Sequence, residues 1–228
     1  MEKAVVILSG GLDSTTCMGL AKEQGFELFP VTFDYGQRHN IELECATAVA
    51  KHYNVADHRV VKLDFLRQIG GSALTDKDIE VPQDGVTDEI PVTYVPGRNL
   101  LFLSMAASYA EVIGASAIYI GVNALDYSGY PDCRPEFIEA VQETIARGTK
   151  AGVEGRPIRI ETPLLHWTKA EIIRHGMEIG VPYQLTTSCY MGEAVACGEC
   201  DSCRLRLKGF AEAGYRDPIS YRDDVNLR

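Results

Sequence analysis

The stretch that decides the fold lies near the start of the chain and reads Ala4-Val5-Val6-Ile7-Leu8-Ser9-Gly10-Gly11-Leu12-Asp13-Ser14-Thr15-Thr16. Its first five residues are apolar and three of them are β-branched, which predicts a buried strand. The paired glycines cannot continue that strand and predict a tight turn. The residues from Ser14 onward predict the first turns of a helix. A strand, a glycine turn and a helix N-terminus together predict an anion-binding site, because free backbone N–H groups and the helix dipole face the turn.

Polar residues in this stretch indicate a phosphate ligand accompanied by a cation. Ser9 and Ser14 add hydroxyl donors, whereas Asp13 would repel a phosphate unless Mg²⁺ lies between them. The stretch does not match the Walker A pattern, since no lysine follows Gly11, and it does not match the dinucleotide-binding pattern G-x-G-x-x-G. An ordinary strand-to-helix turn with two glycines is the alternative without a function.

Composition and charge favour a small-molecule substrate. The chain has 228 residues, of which 46% are hydrophobic and 24% charged, so we expect one large domain or one domain with an appendage. Its net charge is −10, whereas proteins that bind nucleic acid usually carry a basic face, so no nucleic-acid partner is expected. No apolar run approaches the roughly 20 residues of a membrane helix and the first residues do not resemble a signal peptide, so we expect a cytoplasmic protein without membrane contact.

Alternating strand and helix patterns predict an α/β fold with a doubly wound parallel sheet, which binds ligands at the carboxyl ends of its strands. Pro30, in the second predicted strand, requires an edge or an irregular position. The stretch from 71 to 96 has little periodicity and is interpreted as a lid or a disordered segment. The predicted strands cover residues 4–8, 27–33, 58–63, 117–122 and 157–162, and helices are predicted from about 14, over 40–53, 100–113 and 135–151, and after Thr168.

Two basic residues at predicted helix starts are candidates for further phosphate contacts. Arg98 precedes a strongly apolar helix, and a helix cap with a surface arginine is the alternative for that segment. Thr168 and Glu171 predict a capping box, which needs no functional explanation. Lys169 is not explained in that way, because a lysine at a helix N-terminus opposes the dipole unless an anion is present.

Four of the seven cysteines form a cluster with the spacing Cys189-x7-Cys197-x2-Cys200-x2-Cys203. In a reducing compartment such a cluster indicates a metal site rather than disulfides. Four thiolates close a tetrahedral shell around Zn²⁺ and leave no position for water, so we expect a structural ion. Arg204, Arg206 and Lys208 could offset the excess negative charge. An iron–sulfur cluster is the alternative, since it also uses four cysteines.

Taken together, these motifs resemble the PP-loop ATP pyrophosphatases and, among them, the 7-cyano-7-deazaguanine synthase family, also called the QueC family. The loop from Ser9 to Thr16 has the SGGxDS pattern of the superfamily. The segments 33–39, 95–99 and 123–134, and the four cysteines with Ser188, narrow the resemblance to the family. It implies a PP-loop nucleotide-binding domain over residues 1–180 and a zinc-binding segment over 181–228 packed on it.

The resemblance implies a ligase of queuosine biosynthesis that converts 7-carboxy-7-deazaguanine, ammonia and ATP into 7-cyano-7-deazaguanine. The substrate carboxylate would attack the α-phosphate of ATP, and ammonia would displace AMP from the acyl-adenylate to give an amide. A second ATP would activate the amide for elimination to the nitrile. Ammonia would arrive free, because no glutaminase domain is present. The resemblance also implies Mg²⁺ bound with ATP, a structural Zn²⁺ and a homodimer. The sequence leaves open whether the net nucleotide product is AMP or ADP.

The expected site residues fall into three groups besides the zinc ligands. ATP would be bound by Leu8, Ser9, Gly10, Gly11, Leu12, Asp13, Ser14, Thr15, Thr16, Cys17 and Met18. Catalysis would rest on Asp13, Arg98 and Lys169. The deazaguanine would be bound by Asp126, Tyr127, Tyr130, Asp132 and Arg134, which follow the fourth predicted strand.

Within the third group, a tyrosine would stack on the base and Asp132 would accept from its guanine edge, with Asp126 as the substitute. Arg134 would orient the reacting carboxylate. The alternative is a polar turn in which Asp132 only caps the following helix.

Two other functions stay open at this point. One is another PP-loop ligase, such as a tRNA thiolase or an NAD synthetase. The acidic balance and the use of the cysteines as a closed metal shell count against a thiolase. The other is a non-catalytic, zinc-containing nucleotide-binding module, against which the presence of Ser9, Asp13, Ser14, Arg98 and Lys169 counts.

Overall fold

A parallel sheet of five strands organises the chain. The computed structural model describes residues 1–36, 41–76, 78–80, 90–125, 129–191 and 195–222. The strands are β1 (Lys3–Ile7), β2 (Glu27–Asp34), β3 (Arg59–Lys62), β4 (Ala117–Tyr119) and β5 (Arg159–Glu161). They lie in the order β3-β2-β1-β4-β5, and each adjacent pair is parallel.

Helices follow the strands and cover both faces of the sheet. They are α1 (Leu12–Glu23), α2 (Ile41–His52), α3 (Asp64–Ile69), α4 (Arg98–Ile113), α5 (Pro135–Gly148), α6 (Lys150–Val153), α7 (Lys169–Glu178) and α8 (Asp201–Ala213). Short 3₁₀ turns cover Pro131–Cys133 and Tyr183–Leu185.

Successive residues of β1 point to opposite faces of the sheet and define two cores. Val5 and Ile7 pack with the apolar sides of α4 and α5, whereas Ala4 and Val6 pack with α1, α2, α7 and Phe210 of α8. A parallel sheet is covered on both faces, so its central strand is apolar and buried from Ala4 to Ile7. The predicted doubly wound α/β fold is confirmed.

The strand order reverses beside β1, and this reversal locates the ligand site. From β1 the chain moves outward to β2 and β3 on one side, then returns to place β4 and β5 on the other side. Loops leaving the carboxyl ends of β1 and β4 therefore diverge and leave a crevice, which is where open α/β sheets bind their ligands.

Pro30 lies inside β2, which has a strand on each side. The backbone of Glu27 and Val31 bonds toward β1, so the nitrogen of Pro30 faces the opposite side. On that side β3 pairs only from Val31 onward. The missing N–H of Pro30 therefore costs no hydrogen bond between strands. Although β2 is an interior strand, it is unpaired on this side at Pro30, which is the irregular position that the sequence predicts.

Several predicted boundaries move by a few residues. α1 begins at Leu12 rather than near Ser14, because Gly11 takes the N-cap position. α4 begins at Arg98 rather than at Leu100, after a left-handed Gly97. The short α3 was not predicted. Part of the stretch from 71 to 96, interpreted as a lid or a disordered segment, lies outside the described residues, namely 77 and 81–89.

The last part of the chain packs back on the sheet domain through α8. Phe210 lies 5.7 Å from Tyr183 in an edge-to-face arrangement, within the core that α1 and α7 also build. Backbone hydrogen bonds between Ala196 and the segment at Ser220 to Arg222 close the region beside the cysteines. Of the helices that the structure describes, none is long and apolar enough to cross a membrane.

Candidate active site

The glycine turn after β1 is fixed by close contact with α2. Gly10 has a φ of +84°, and a Cβ at this position would lie 2.3 Å from the carbonyl oxygen of Glu42. Only glycine combines that backbone conformation with so close an approach. The Gly10 carbonyl also accepts a hydrogen bond of 3.0 Å from the Thr187 N–H. The turn is therefore held between α2 and the segment before the first clustered cysteine.

The two serines of the turn hold its shape. The Ser9 and Ser14 hydroxyls lie 3.0 Å apart, and the Ser14 hydroxyl accepts from the Ser9 N–H at 3.1 Å. The Ser14 hydroxyl also donates to the Gly11 carbonyl at 3.2 Å. The backbone thus curls around its own side chains at the N-terminus of α1, the geometry in which helices bind anions.

Asp13 and Lys169 form an ion pair at the mouth of the turn. The Lys169 Nζ donates to Asp13 Oδ1 at 2.8 Å and to Oδ2 at 2.9 Å. Lys169 occupies the first position of α7, whose N-terminus has the predicted capping box between Thr168 and Glu171. The position of Lys169 at a helix N-terminus predicted an anionic partner. In the structure that anion is the carboxylate of Asp13.

A cavity of about 250 Å³ opens at the carboxyl ends of β1 and β4. One wall is formed by Leu8, Ser9 and the residues from Gly11 to Ser14, with Lys169 beside them. Arg98 and Asn99 at the start of α4 form another wall, together with Tyr130. The structure thus brings the three predicted catalytic residues, Asp13, Arg98 and Lys169, to one cavity.

Burial controls the protonation of the acidic groups around this cavity. It raises the pKa of Glu42 to about 7, although the nearby Arg98 guanidinium opposes that shift. It also raises the pKa of Tyr35 to about 12 and that of Cys133 to about 12. Arg98 lies 5.9 Å from the centre of the Tyr35 ring. The phenol and the thiol stay protonated at neutral pH, whereas Glu42 titrates there.

The second half of the predicted ATP-binding stretch lies away from the cavity. Thr15, Thr16, Cys17 and Met18 are buried in α1. The Thr16 hydroxyl hydrogen-bonds the Tyr183 hydroxyl at 2.8 Å, and burial raises the pKa of the Cys17 thiol strongly. These four residues therefore pack in the core next to the glycine turn and do not line the cavity.

The predicted deazaguanine-binding residues divide into three cases. Tyr130 lines the cavity, and its hydroxyl lies 2.7 Å from that of Thr93. Asp126 and Tyr127 lie outside the described residues. Arg134 is exposed and does not line the cavity.

Asp132 is buried beside the start of α4. Its Oδ2 accepts from the Asn99 N–H at 3.1 Å, and its carbonyl accepts from the Asn99 side-chain amide at 3.0 Å. Among the described residues, Oδ1 is buried without a hydrogen-bond partner. The carboxylate therefore caps α4 rather than α5, and it does not line the cavity. This geometry does not support the guanine-reading role expected for Asp132, or the carboxylate-orienting role expected for Arg134.

The four clustered cysteines fit a tetrahedral metal ion. Their sulfurs all lie within 4.8 Å of one another and all four residues are buried. The Cys197 and Cys203 sulfurs are 3.9 Å apart, close to the roughly 3.8 Å that a tetrahedral ion with 2.3 Å bonds to sulfur imposes. Hydrogen bonds from the Cys200 and Cys203 thiols hold the pKa of Cys189 well below its usual value. These four residues could hold a metal ion such as zinc.

Arg206 is a site-lining residue whose role the sequence did not reveal. It was expected to offset the thiolate charge, but it is 1% exposed and pairs with Asp217 at 2.7 and 2.9 Å. Its Nη1 donates to the Thr186 hydroxyl at 2.7 Å, and its Nη2, which also contacts Asp217, donates to the Tyr183 carbonyl at 3.2 Å. The arginine therefore fixes the segment that precedes Cys189 and contacts Gly10 through Thr187.

Glu42 and Thr187 also line the cavity without having been predicted. Glu42 lies in the first turn of α2, which follows β2. Its place after the carboxyl end of a strand next to β1 is a signal that could have pointed to the site. Thr187 carries no comparable signal, because its position depends on how the last part of the chain folds back.

Comparison with known proteins shows the family of the chain. Residues 3–214 match the family described as "Queuosine biosynthesis protein QueC". The 7-cyano-7-deazaguanine synthase of Oceanobacillus iheyensis is 62% identical over 220 residues, covering 96% of this chain and 98% of its own length. The synthase of Acetivibrio thermocellus is 57% identical over 223 residues, covering 98% and 99%. The chain therefore belongs to the QueC family.

Solved structures with lower identity share the fold. The NMN synthetase of Francisella tularensis matches with a TM-score of 0.51 and 15% identity, over 94% of this chain and 78% of its own. A 4-thiouridine synthetase solved with RNA and ATP matches with a TM-score of 0.51 and 19% identity, over 92% and 53%. These likenesses concern the fold alone.

Proposed function

We propose that this protein is an ATP-dependent ligase of queuosine biosynthesis that converts 7-carboxy-7-deazaguanine and ammonia into 7-cyano-7-deazaguanine. The proposal rests on relatives of that name which match nearly the whole chain. The structural observation that supports the proposed reaction is that the glycine turn, Arg98 and Lys169 line one cavity. Neither a tRNA thiolase nor a binding module is favoured by these relatives.

In this function the turn from Ser9 to Ser14 would hold the phosphates of ATP. The free N–H groups at the start of α1 would face the phosphate oxygens. Arg98 and Lys169 would neutralise charge on the α-phosphate and on the departing pyrophosphate. Asp13 would hold the Mg²⁺ that accompanies ATP, since this ion is commonly bound by one or two carboxylates together with substrate phosphates. Lys169 would then exchange part of its contact with Asp13 for the phosphates.

The substrate carboxylate has no good leaving group, so it must be activated before nitrogen can replace oxygen. Attack on the α-phosphate of ATP forms an acyl-adenylate and releases pyrophosphate. Ammonia displaces AMP and forms an amide, and a second ATP activates the amide oxygen before elimination to the nitrile. Tyr130, which reaches the cavity, would contact the flat face of the base.

The remaining expectations belong to this proposal. The four cysteines would hold one structural Zn²⁺, which requires reduced thiols and therefore suits the cytoplasm. Residues 1–180 would form the nucleotide-binding part and 181–228 the zinc-binding segment. Two copies would form a homodimer, which light scattering coupled to size exclusion would detect as twice the chain mass.

Mass spectrometry of the reaction products tests the function. The purified protein is mixed with ATP, Mg²⁺, ammonium and 7-carboxy-7-deazaguanine, and the nitrile is expected with release of pyrophosphate. A reaction without ammonium should stop at the acyl-adenylate. Failure to consume the acid in the presence of ATP and ammonium would contradict the proposal. Detection of AMP or ADP in the same samples identifies the net nucleotide product.

A further inference from the structure

The proposed reaction, on which this inference rests, needs a proton acceptor beside the reacting carbon. After ammonia attacks the acyl-adenylate, the nitrogen carries three protons and a positive charge, and an amide forms only when one proton leaves. A positioned carboxylate can accept such a proton and typically contributes about 10²–10⁴ in rate.

Glu42 is placed to meet this need. It lies in the first turn of α2 and lines the same cavity as the glycine turn, Arg98 and Lys169. Its backbone oxygen packs against Gly10 so closely that no side chain fits between them. The position of Glu42 is therefore tied to the turn that would hold the phosphates of ATP.

The other described carboxylate of the cavity is engaged, the thiol and phenols near Arg98 stay protonated, and Cys189 belongs to the cysteine cluster. Asp13 accepts two hydrogen bonds from Lys169. The thiol of Cys133 and the phenol of Tyr35 each have a pKa of about 12, so neither accepts a proton at neutral pH. Tyr130 also has a raised pKa because of burial. Among the described residues that line the cavity, Glu42 is thus the carboxylate not held in an ion pair at hydrogen-bond distance.

The groups around Glu42 set the pKa of its carboxyl group in the range that a general base needs. Arg98 on α4 is the cation that acts on it, and Tyr35 after β2 and Cys45 on its own helix are neutral neighbours. Burial raises the pKa of Glu42 to about 7 against the effect of Arg98. A base whose pKa lies near the working pH is ionised often enough to accept a proton and still binds it firmly.

We propose that the carboxylate of Glu42 is the general base that takes a proton from the attacking nitrogen during amide formation. The nitrogen lone pair forms a bond to the carbonyl carbon, and the bond from that carbon to the phosphate oxygen breaks. AMP leaves with the electron pair of that bond. One N–H proton passes to Glu42, and the neutral amide remains.

Glu42→Gln separates this step from the activation of the acid. Formation of the acyl-adenylate is measured as exchange of pyrophosphate into ATP in the presence of 7-carboxy-7-deazaguanine. This exchange needs no ammonia, so its rate in Glu42→Gln should stay within about threefold of the wild-type rate. Amide formation in single turnovers should fall by about 10²-fold or more. The matched control is Glu44→Gln, which removes the same charge from an exposed position on the same helix and should change neither rate.

The pH dependence of the rate of amide formation distinguishes a general base from a residue that only supports the structure, because a structural role of Glu42 would not change it. At a constant concentration of free NH₃, wild-type amide formation should rise with pH and level off above about 7. Glu42→Gln should lose this rise, whereas Glu42→Asp should keep it at a lower rate. Glu42→Asp also covers the case in which the glutamine variant does not fold.

Each contrary result has a distinct meaning. Wild-type protein without acid-dependent exchange would overturn the proposed function and this inference with it. Normal exchange together with a wild-type rate of amide formation in Glu42→Gln would overturn the role of Glu42 alone. Loss of exchange in a folded Glu42→Gln variant would also overturn it, since the residue would then serve activation rather than proton transfer.

Discussion

The Lys169 ammonium donates to both carboxylate oxygens of Asp13, at 2.8 and 2.9 Å, although 156 residues separate the two in the chain. The side chains are 12% and 24% exposed, so the pair is largely shielded from solvent. It joins the phosphate-binding turn at the start of α1 to the N-terminus of α7. An ion pair in this position sets the charge that an incoming nucleotide meets.

We expect Asp13→Asn to lower ATP turnover by roughly 10²–10³, because loss of one charged partner of a transition state typically costs about 3–4 kcal/mol. The amide keeps the shape of the side chain and one acceptor for Lys169. The measurement is acid-dependent pyrophosphate release at saturating Mg²⁺. Glu143→Gln, which breaks an exposed ion pair with Arg147, is the control and should leave turnover unchanged. Wild-type turnover in Asp13→Asn would contradict the assigned role.

Gly209→Ala should disturb the same pair from the opposite side. A Cβ at Gly209 of α8 would lie 2.4 Å from Lys169 Cγ and 2.9 Å from its Cβ, so the lysine stem must move. We expect a lower kcat in a protein that remains folded. Gly148→Ala is the matched control, because a Cβ at that helical glycine meets nothing within 4 Å. An unchanged kcat in Gly209→Ala would show that Lys169 can shift without loss.

Metal analysis tests the cysteine cluster. We expect one Zn²⁺ per chain and a marked loss of metal and stability in Cys200→Ser, since a closed four-thiolate shell contributes directly to folding. Cys45→Ser, outside the cluster, should keep its metal. Iron in the purified protein, or a stable and active enzyme without metal, would contradict the zinc assignment.

The buried ion pair of Arg206 and Asp217 should be important for stability. Their side chains are 1% and 4% exposed, so Asp217→Asn leaves a buried guanidinium without its counter-charge. Breaking such a pair typically costs about 3–5 kcal/mol of unfolding free energy, whereas an exposed pair contributes about 0–1. Denaturant unfolding measures the difference, with Glu143→Gln as the exposed comparison. Equal losses in the two variants would contradict this expectation.

Glu42 should make the unfolding free energy depend on pH. Its pKa is about 7 in the folded protein and 4.5 as the ordinary value, so between these pH values the folded state holds a proton that the unfolded state has lost. Its contribution to stability is therefore present below about pH 4.5 and falls as the pH rises to about 7. The difference in unfolding free energy between wild type and Glu42→Gln, measured across this range, should change in that direction. A constant difference would mean that the carboxyl is not perturbed.

Local sequence accounts for the parts of the molecule whose structure depends on neighbours in the chain. The apolar run from Ala4 to Leu8 and the paired glycines after it determine a buried strand and a turn, because side-chain burial and backbone freedom are set there residue by residue. Spacing alone brings Cys197, Cys200 and Cys203 into one cluster, since short separations bound the distance between ligands. The capping box of Thr168 and Glu171 is likewise complete within one helical turn.

Tertiary structure decided which residues meet across long separations. The sequence contains Asp13 and Lys169 as two phosphate-site candidates, but only the packing of α7 beside α1 shows that they bind each other. Asp132 looks like a ligand-binding carboxylate in the chain, yet the fold buries it against Asn99 at the start of another helix. Glu42 is an unremarkable residue of a helix until Gly10 packs against it at the edge of the cavity. Side-chain chemistry is a property of the sequence, whereas burial and partners, which set the charge of a carboxyl group, arise only when distant segments pack together.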